Sequence, residues 1–188
     1  MSLKKLTIFT FLLVAISGSG WSSQDYRIEP GWSHIEFEVK NFGFHTVEGR
    51  FKSFAGTITY DETDVIKSSV TVTIQADSID TDIKKRDEHL RSKDFFEVDR
   101  CPEITFRSVS IVKRGDGYVM TGSLTIKGHA HPIELPFTFT SDKSADGKPA
   151  LHAEASVSIN RHDYGLDYGS NFSVGKLVRI LIHIQALP

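Results

Sequence analysis

Beyond its first twenty or so positions this chain consists almost entirely of segments, roughly eight of them, in which apolar and polar residues alternate. Ile35, Phe37 and Val39 alternate with His34, Glu36, Glu38 and Lys40. The pattern returns in Val70, Val72, Ile74 and Ala76, then in Tyr118, Met120, Leu124 and Ile126. It closes with Ile133, Leu135, Phe137 and Phe139, then Val178, Ile180, Ile182 and Ile184. Side chains on a strand switch faces at every residue, so each segment has one apolar face and one wet face. A sheet of such strands must cover its apolar face, by packing on a second sheet or by closing on itself. Closure of about eight strands leaves an interior wide enough for one small ligand.

The N-terminus stands apart from this pattern. Lys4 and Lys5 precede a mainly apolar run from Leu6 to Ile16, followed by Ser17, Gly18, Ser19 and Gly20. That is the layout of a secretory signal peptide, expected over residues 1–22, which leaves one exported, periplasmic domain over residues 23–188. The run is too short to span a membrane, which takes about 20 apolar residues. Cleavage removes two of 22 basic residues and none of the 24 acidic ones, taking the net charge from −2 to −4. A nucleic-acid partner would demand a basic stripe, and the composition offers no basic face for anionic headgroups either. With Cys101 as the single cysteine, no internal disulfide can form. Burial alone must stabilise the fold, which a domain of about 165 residues can manage.

Strands are expected near Ile35–Lys40, Val47–Tyr60, Lys67–Ala76, Ile104–Val112, Tyr118–Lys127, Pro132–Thr140, Leu151–Asn160 and Leu177–Gln185. Gly115-Asp116-Gly117 and the stretch Asp142 to Lys148, with Asp146-Gly147, read as tight hairpins. Within Val47–Tyr60 the apolar phase changes, from Val47 and Phe51 to Phe54, Ile58 and Tyr60, which predicts a bulge near Ser53. Alternation stops between Thr81 and Phe96, where a charged run predicts one short helix with Thr81 as N-cap and Ile83, Asp87 and Leu90 on one face.

Catalytic patterns are sparse. His129-Ala130-His131 would place two rings on one strand face, but no HExxH or cysteine partner supplies a third ligand, and the flanking Gly128 and Pro132 suggest a turn with solvent-exposed imidazoles. There is no GxSxG elbow for a nucleophile and no Gly-rich phosphate cradle, and Cys101-Pro102 sits at a strand entry. The thirteen phenylalanines, most of them on strands, are the more specific signal. They are compatible with a filled sandwich as well as with a lined cavity, because periodicity does not distinguish the two.

Several ordered segments narrow the choice: Ser33-His34-Ile35-Glu36-Phe37, Gly49-Arg50-Phe51-Lys52-Ser53-Phe54-Ala55-Gly56, Arg86-Asp87-Glu88-His89-Leu90-Arg91-Ser92, Cys101-Pro102-Glu103-Ile104-Thr105-Phe106 and Ile159-Asn160-Arg161-His162-Asp163-Tyr164-Gly165. With them the chain, from about Tyr26 to Ile184, resembles the YceI-like family of exported polyisoprenoid-binding proteins. It departs from the family pattern in a short loop before the seventh strand and in Lys176-Leu177, where an acidic pair is common. The resemblance implies an all-β, eight-stranded antiparallel lipocalin-like barrel with one short helix across an end. It implies binding of a long isoprenoid, quinone or fatty-chain amphiphile, with no cofactor and no catalysis. The oligomeric state is left open by the sequence, with a homodimer as the commonest symmetric assembly. For the apolar tail, the alternating faces nominate Phe37, Val39, Phe51, Val72, Ile74, Phe106, Leu124 and Ile126. For a polar head, Arg86, His89, Asn160, Arg161 and Tyr164 can donate hydrogen bonds. The competing role for Arg86 is an ion pair with Asp87 that pins the helix to the barrel. The second functional reading is a small exported metal-binding or hydrolytic enzyme using His129 and His131.

Overall fold

Turns with the right backbone decide where the alternating segments become strands. Lys127 (φ 50) and Gly128 (φ 77) both hold the left-handed backbone of a two-residue hairpin loop, and Gly115 (φ 59) opens a second one. The computed structural model describes residues 23–144 and 146–188, so the expected signal peptide lies outside the described residues. The strands are β1 (Ser23–Ile28), β2 (His34–Asn41), β3 (His45–Phe51), β4 (Phe54–Asp61), β5 (Ser69–Gln75), β6 (Ile79–Asp80), β7 (Glu103–Arg114), β8 (Gly117–Ile126), β9 (His129–Lys143), β10 (Pro149–Asn160) and β11 (Val174–Leu187). One helix, α1 (Lys84–Arg91), interrupts them.

The order β1-β4-β5-β7-β8-β9-β10-β11 closes on itself through the pairing of Arg27 and Ile28 with Leu187 and Ala186. The result is a closed, eight-stranded antiparallel barrel. Above that short seam the same edge of β11 pairs instead with β2, from Val178–Val39 to His183–His34, and β2 continues into β3 and β6. The count of eight agrees with the sequence reading, but the membership differs. The first strand of the ring, β1, is too short and too polar at Ser23, Gln24 and Asp25 to show alternation. The single strand expected over Val47–Tyr60 is two strands, and what looked like a bulge near Ser53 is the break between them. There Lys52 N–H turns to the Ser78 carbonyl and Ser53 accepts from Gln75 N–H.

Asp80 pins that break. Its carboxylate accepts from Arg50 at 2.8 Å and lies 2.7 Å from Lys52 Nζ. Lys52, the backbone N–H of Asp82 and Arg50 hold its pKa down to about 2. A carboxylate whose folded value is depressed contributes its stability above the unfolded value of about 3.9, and loses it as pH falls through the folded value. Asp80→Asn is therefore expected to lower the urea midpoint at pH 6 and to match the parent protein near pH 2. Equal midpoints at pH 6 would show that the break needs no such pin.

Two irregularities adjust which residues face inward. Val109 is the extra residue where the β7–β8 register slips between Ser108 and Ser110, and it is 77% exposed. The slip turns Ile111 inward and leaves Val112 outside. Further on, β9 pairs with β10 only from Phe137 onward. Pro132 and Pro136, which carry no N–H, lie on the stretch that lacks that partner. A 3₁₀ turn over Arg161–Tyr164 packs into the resulting splay, with the Tyr164 ring set edge-on to His131 at 5.2 Å.

Across this end lies α1. Its N-cap is Ile83, which is half exposed, rather than Thr81. Thr81 is buried and donates from both N–H and Oγ1 to Asp87, the buried residue of the helix. The helix thus docks through a hydrogen-bonded carboxylate, while Ile83 stays out of the apolar face expected of it.

Candidate functional site

Inward-facing residues of β10 and β11, among them Ala153, Ala155, Val157, Val178, Ile180 and Ile182, are only partly buried even though the barrel surrounds them. In a filled core they would be closed off. They line a lumen with about 260 Å³ open to the centre of a water-sized sphere, and about 1850 Å³ of empty space with its openings included. A single water needs only about 10–15 Å³ on the first measure. The wall is apolar almost throughout, and the exceptions include Glu36, Ser68 and Arg161.

All eight residues nominated for an apolar tail, Phe37, Val39, Phe51, Val72, Ile74, Phe106, Leu124 and Ile126, lie on this wall. Aromatic rings cluster on it in two places. Phe37, Phe51 and Phe96 follow one another with centroids 5.8 and 5.9 Å apart near α1, and Tyr60 and Phe139 meet at 5.9 Å elsewhere on the wall. Leu90, Phe95 and Phe96, in and after α1, complete the wall on the helix side. Sequence reasoning placed Leu90 on one face of the helix but named none of the three for the tail, because they lie outside any alternating segment.

The polar candidates divide. Arg161 is on the wall, whereas Arg86, His89, Asn160 and Tyr164 are not. Arg86 donates to the hydroxyl and the carbonyl of Thr81, both at 2.8 Å, so its partner is Thr81 in place of Asp87. His89 faces Asp94 at 3.2 Å and the rings of Phe95 and Tyr168. Asn160 caps the 3₁₀ turn, accepting from His162 N–H and donating to Asp163. Tyr164 fills the splay, and burial, with Asp163 nearby, raises its phenol pKa.

Arg161 is 2% exposed and donates to the carbonyls of Leu166, Gly169, Val174 and Gly175. Those bonds tie down the loop that leads into β11. Burial lowers its pKa, and Asp167 opposes that shift. Four of its five N–H groups are thereby engaged, so it presents to the lumen a positive charge more than a free set of donors.

Nothing on the wall resembles a catalytic constellation. His129 is exposed and His131 half-buried against Tyr164. Among the described residues no group of three His, Cys, Asp or Glu side chains could hold a metal ion. Cys101 is half-buried and unpaired in a disulfide. No described helix is long and apolar enough to cross a membrane. Nor does the barrel suit that role, since residues such as Arg107, Glu134, Glu154 and Arg179 are exposed on its outer face.

Residues 26–186 match the YceI-like domain family. Protein YceI of Salmonella agona is 33% identical over 189 residues, covering 98% of this chain and 97% of that protein. Among solved structures, Burkholderia cenocepacia BcnA superposes with a TM-score of 0.77 at 25% identity, over 84% of this chain and 98% of BcnA. A polyisoprenoid binding domain from Saccharophagus degradans, implicated in plant cell wall breakdown, shares the fold with a TM-score of 0.67 at 16% identity, over 86% of this chain and 97% of that one. With the match spanning nearly all of the described residues, this chain belongs to the YceI-like family.

Proposed function

We propose that this protein is an exported, non-catalytic carrier that shelters the hydrocarbon tail of a long isoprenoid or similar amphiphile in its barrel, in the periplasm. The observation that carries the reading is a lumen that stays hollow and apolar where a structural barrel would be filled. The structural likeness to a polyisoprenoid binding domain supports the same ligand class. Phe37, Val39, Phe51, Val72, Ile74, Phe106, Leu124 and Ile126 would contact the tail. Arg161 is the favoured polar contact, acting by its charge on an anionic or carbonyl-bearing head.

Magnitudes agree with such a ligand. A tail of about 40 carbons serves as the reference case. Counting about 0.8 kcal/mol per buried CH₂ would give some 30 kcal/mol, beyond the ceiling of about 20 for any non-covalent complex. At about 0.3 kcal/mol per heavy atom the same tail yields about 12 kcal/mol, near nanomolar. Apolar contact is thus sufficient for tight holding, and since one methylene is worth only about 1–3 kcal/mol, the lumen's length and width set selectivity.

Organic extraction of protein purified without detergent, followed by mass spectrometry, is the direct test. A stoichiometric isoprenoid or acyl species is expected. Extracts without lipid, together with no uptake of an added polyprenol, would overturn the reading.

A further inference from the structure

At the Arg161 end two adjoining segments expose large apolar side chains that the fold leaves uncovered. Phe42 and Phe44 flank Gly43 in the three-residue turn between β2 and β3, and Phe172 lies in the loop before β11. They are 48%, 72% and 66% exposed, and the Phe42 and Phe172 rings meet edge to face at 6.0 Å. Leu177, further along β11 where it pairs with Asn160, is 55% exposed. Single exposed apolar residues are ordinary, but a cluster drawn from two segments is a contact surface. Phe42 is moreover held at φ 49, a conformation costly for a bulky residue, at a place where its ring gains little from the core.

The cluster adjoins the lumen. Asn41 pairs with Val174, Arg161 is bonded to Val174 and Gly175, and Val39, Arg161 and Val174 all lie on the lumen wall. Its immediate charge is positive although the composition as a whole offers no basic face, and the nearest carboxylates in the sequence, Glu38, Glu48 and Asp167, lie just outside it. Lys40 and Lys176 flank the aromatic residues and are exposed, and neither Asn41–Val47 nor Ser170–Val178 contains an acidic residue.

We propose that this tip docks the protein on an anionic phospholipid bilayer. Phe42, Phe44 and Phe172 enter the headgroup layer and Lys40 and Lys176 meet lipid phosphates. Docking in this pose sets the Val39–Val174 end of the lumen against the surface that supplies or receives a tail. A second copy of the chain fits the patch less well, because a two-fold interface would bring each lysine pair against its own like charges. The proposal rests on the carrier reading for its purpose, but docking is measured without reference to cargo.

Flotation with vesicles of phosphatidylethanolamine containing about 30% phosphatidylglycerol tests it. The parent protein is expected to float with the vesicles. Phe42→Ser/Phe44→Ser/Phe172→Ser is expected to partition at least about tenfold less, and Lys40→Glu/Lys176→Glu to lose binding to these vesicles far more than to vesicles of phosphatidylcholine. Mass spectrometry of extracts should find the same bound lipid in both variants as in the parent, which separates a failure of docking from a failure of the carrier reading. A parent protein that stays in solution, or a triple serine variant that floats as well as the parent, would overturn the proposal. So would a parent that is dimeric by light scattering and becomes monomeric in the triple variant, since the patch would then belong to an interface between copies.

Discussion

Ala153→Trp is expected to leave the barrel folded and to weaken lipid binding at least about a hundredfold. Ala153 stands on β10 between Leu151 and Ala155, facing the lumen and half-buried because nothing fills the space in front of it. An indole there occupies space that is otherwise empty, so it meets little of the overpacking strain that enlarging a filled core brings. It does take the path of a tail. Excluding about ten heavy atoms at about 0.3 kcal/mol each removes about 3 kcal/mol, or at least about a hundredfold in affinity. The variant should also be at least as stable as the parent protein freed of lipid, because a filled cavity recovers contacts that an empty one lacks. Titration with a fluorescent polyprenol analogue, alongside urea unfolding of delipidated protein, measures both quantities. Unchanged affinity with unchanged stability would place the ligand somewhere other than the lumen.

That position could be chosen only with coordinates, although much that surrounds it was legible beforehand. Period-two alternation located β2, β5 and β7 to β11 because each has one face on the lumen and one in water. It put all eight nominated tail residues on the wall for the same reason. It could not say that the wall surrounds a void: Val157 or Ile180 has the same alternation whether its neighbour across the barrel is a side chain or empty space. The polar candidates fared differently. Arg86, His89 and Asn160 were chosen for what they can donate, but a side chain's donors are committed by tertiary contacts that leave no local trace, such as Thr81 for Arg86 and Asp94 for His89. The division of Val47–Tyr60 into β3 and β4 was visible as a phase change, yet only the pairing partners, β2 on one side of the break and β1 and β5 on the other, distinguish two strands from one bulged strand.

Arg161→Ala is expected to cost several kcal/mol, because it strands up to four backbone carbonyls at about 1–3 kcal/mol for each that stays out of water. The guanidinium reaches four carbonyls spread from Leu166 to Gly175, and these bonds hold a segment that has little other regular structure. Without it, the carbonyls nearest the lumen face an apolar wall, and an unmet buried polar group costs about 1–3 kcal/mol. Against a total stability of about 5–15 kcal/mol, that is a large fraction. Arg161→Lys should recover less than half of the loss, because an ammonium has its donors at one point and cannot span carbonyls that a planar fork reaches together. Hydrogen exchange then locates the damage. Protection should fall first at Val174 N–H, which is bonded to the Ser170 carbonyl, and at the Val178 end of β11, while β7 and β8 keep theirs. If Arg161→Ala instead loses under about 1 kcal/mol and leaves exchange at Val174 unchanged, the loop holds itself, and the buried charge is left with the lumen as its only employment.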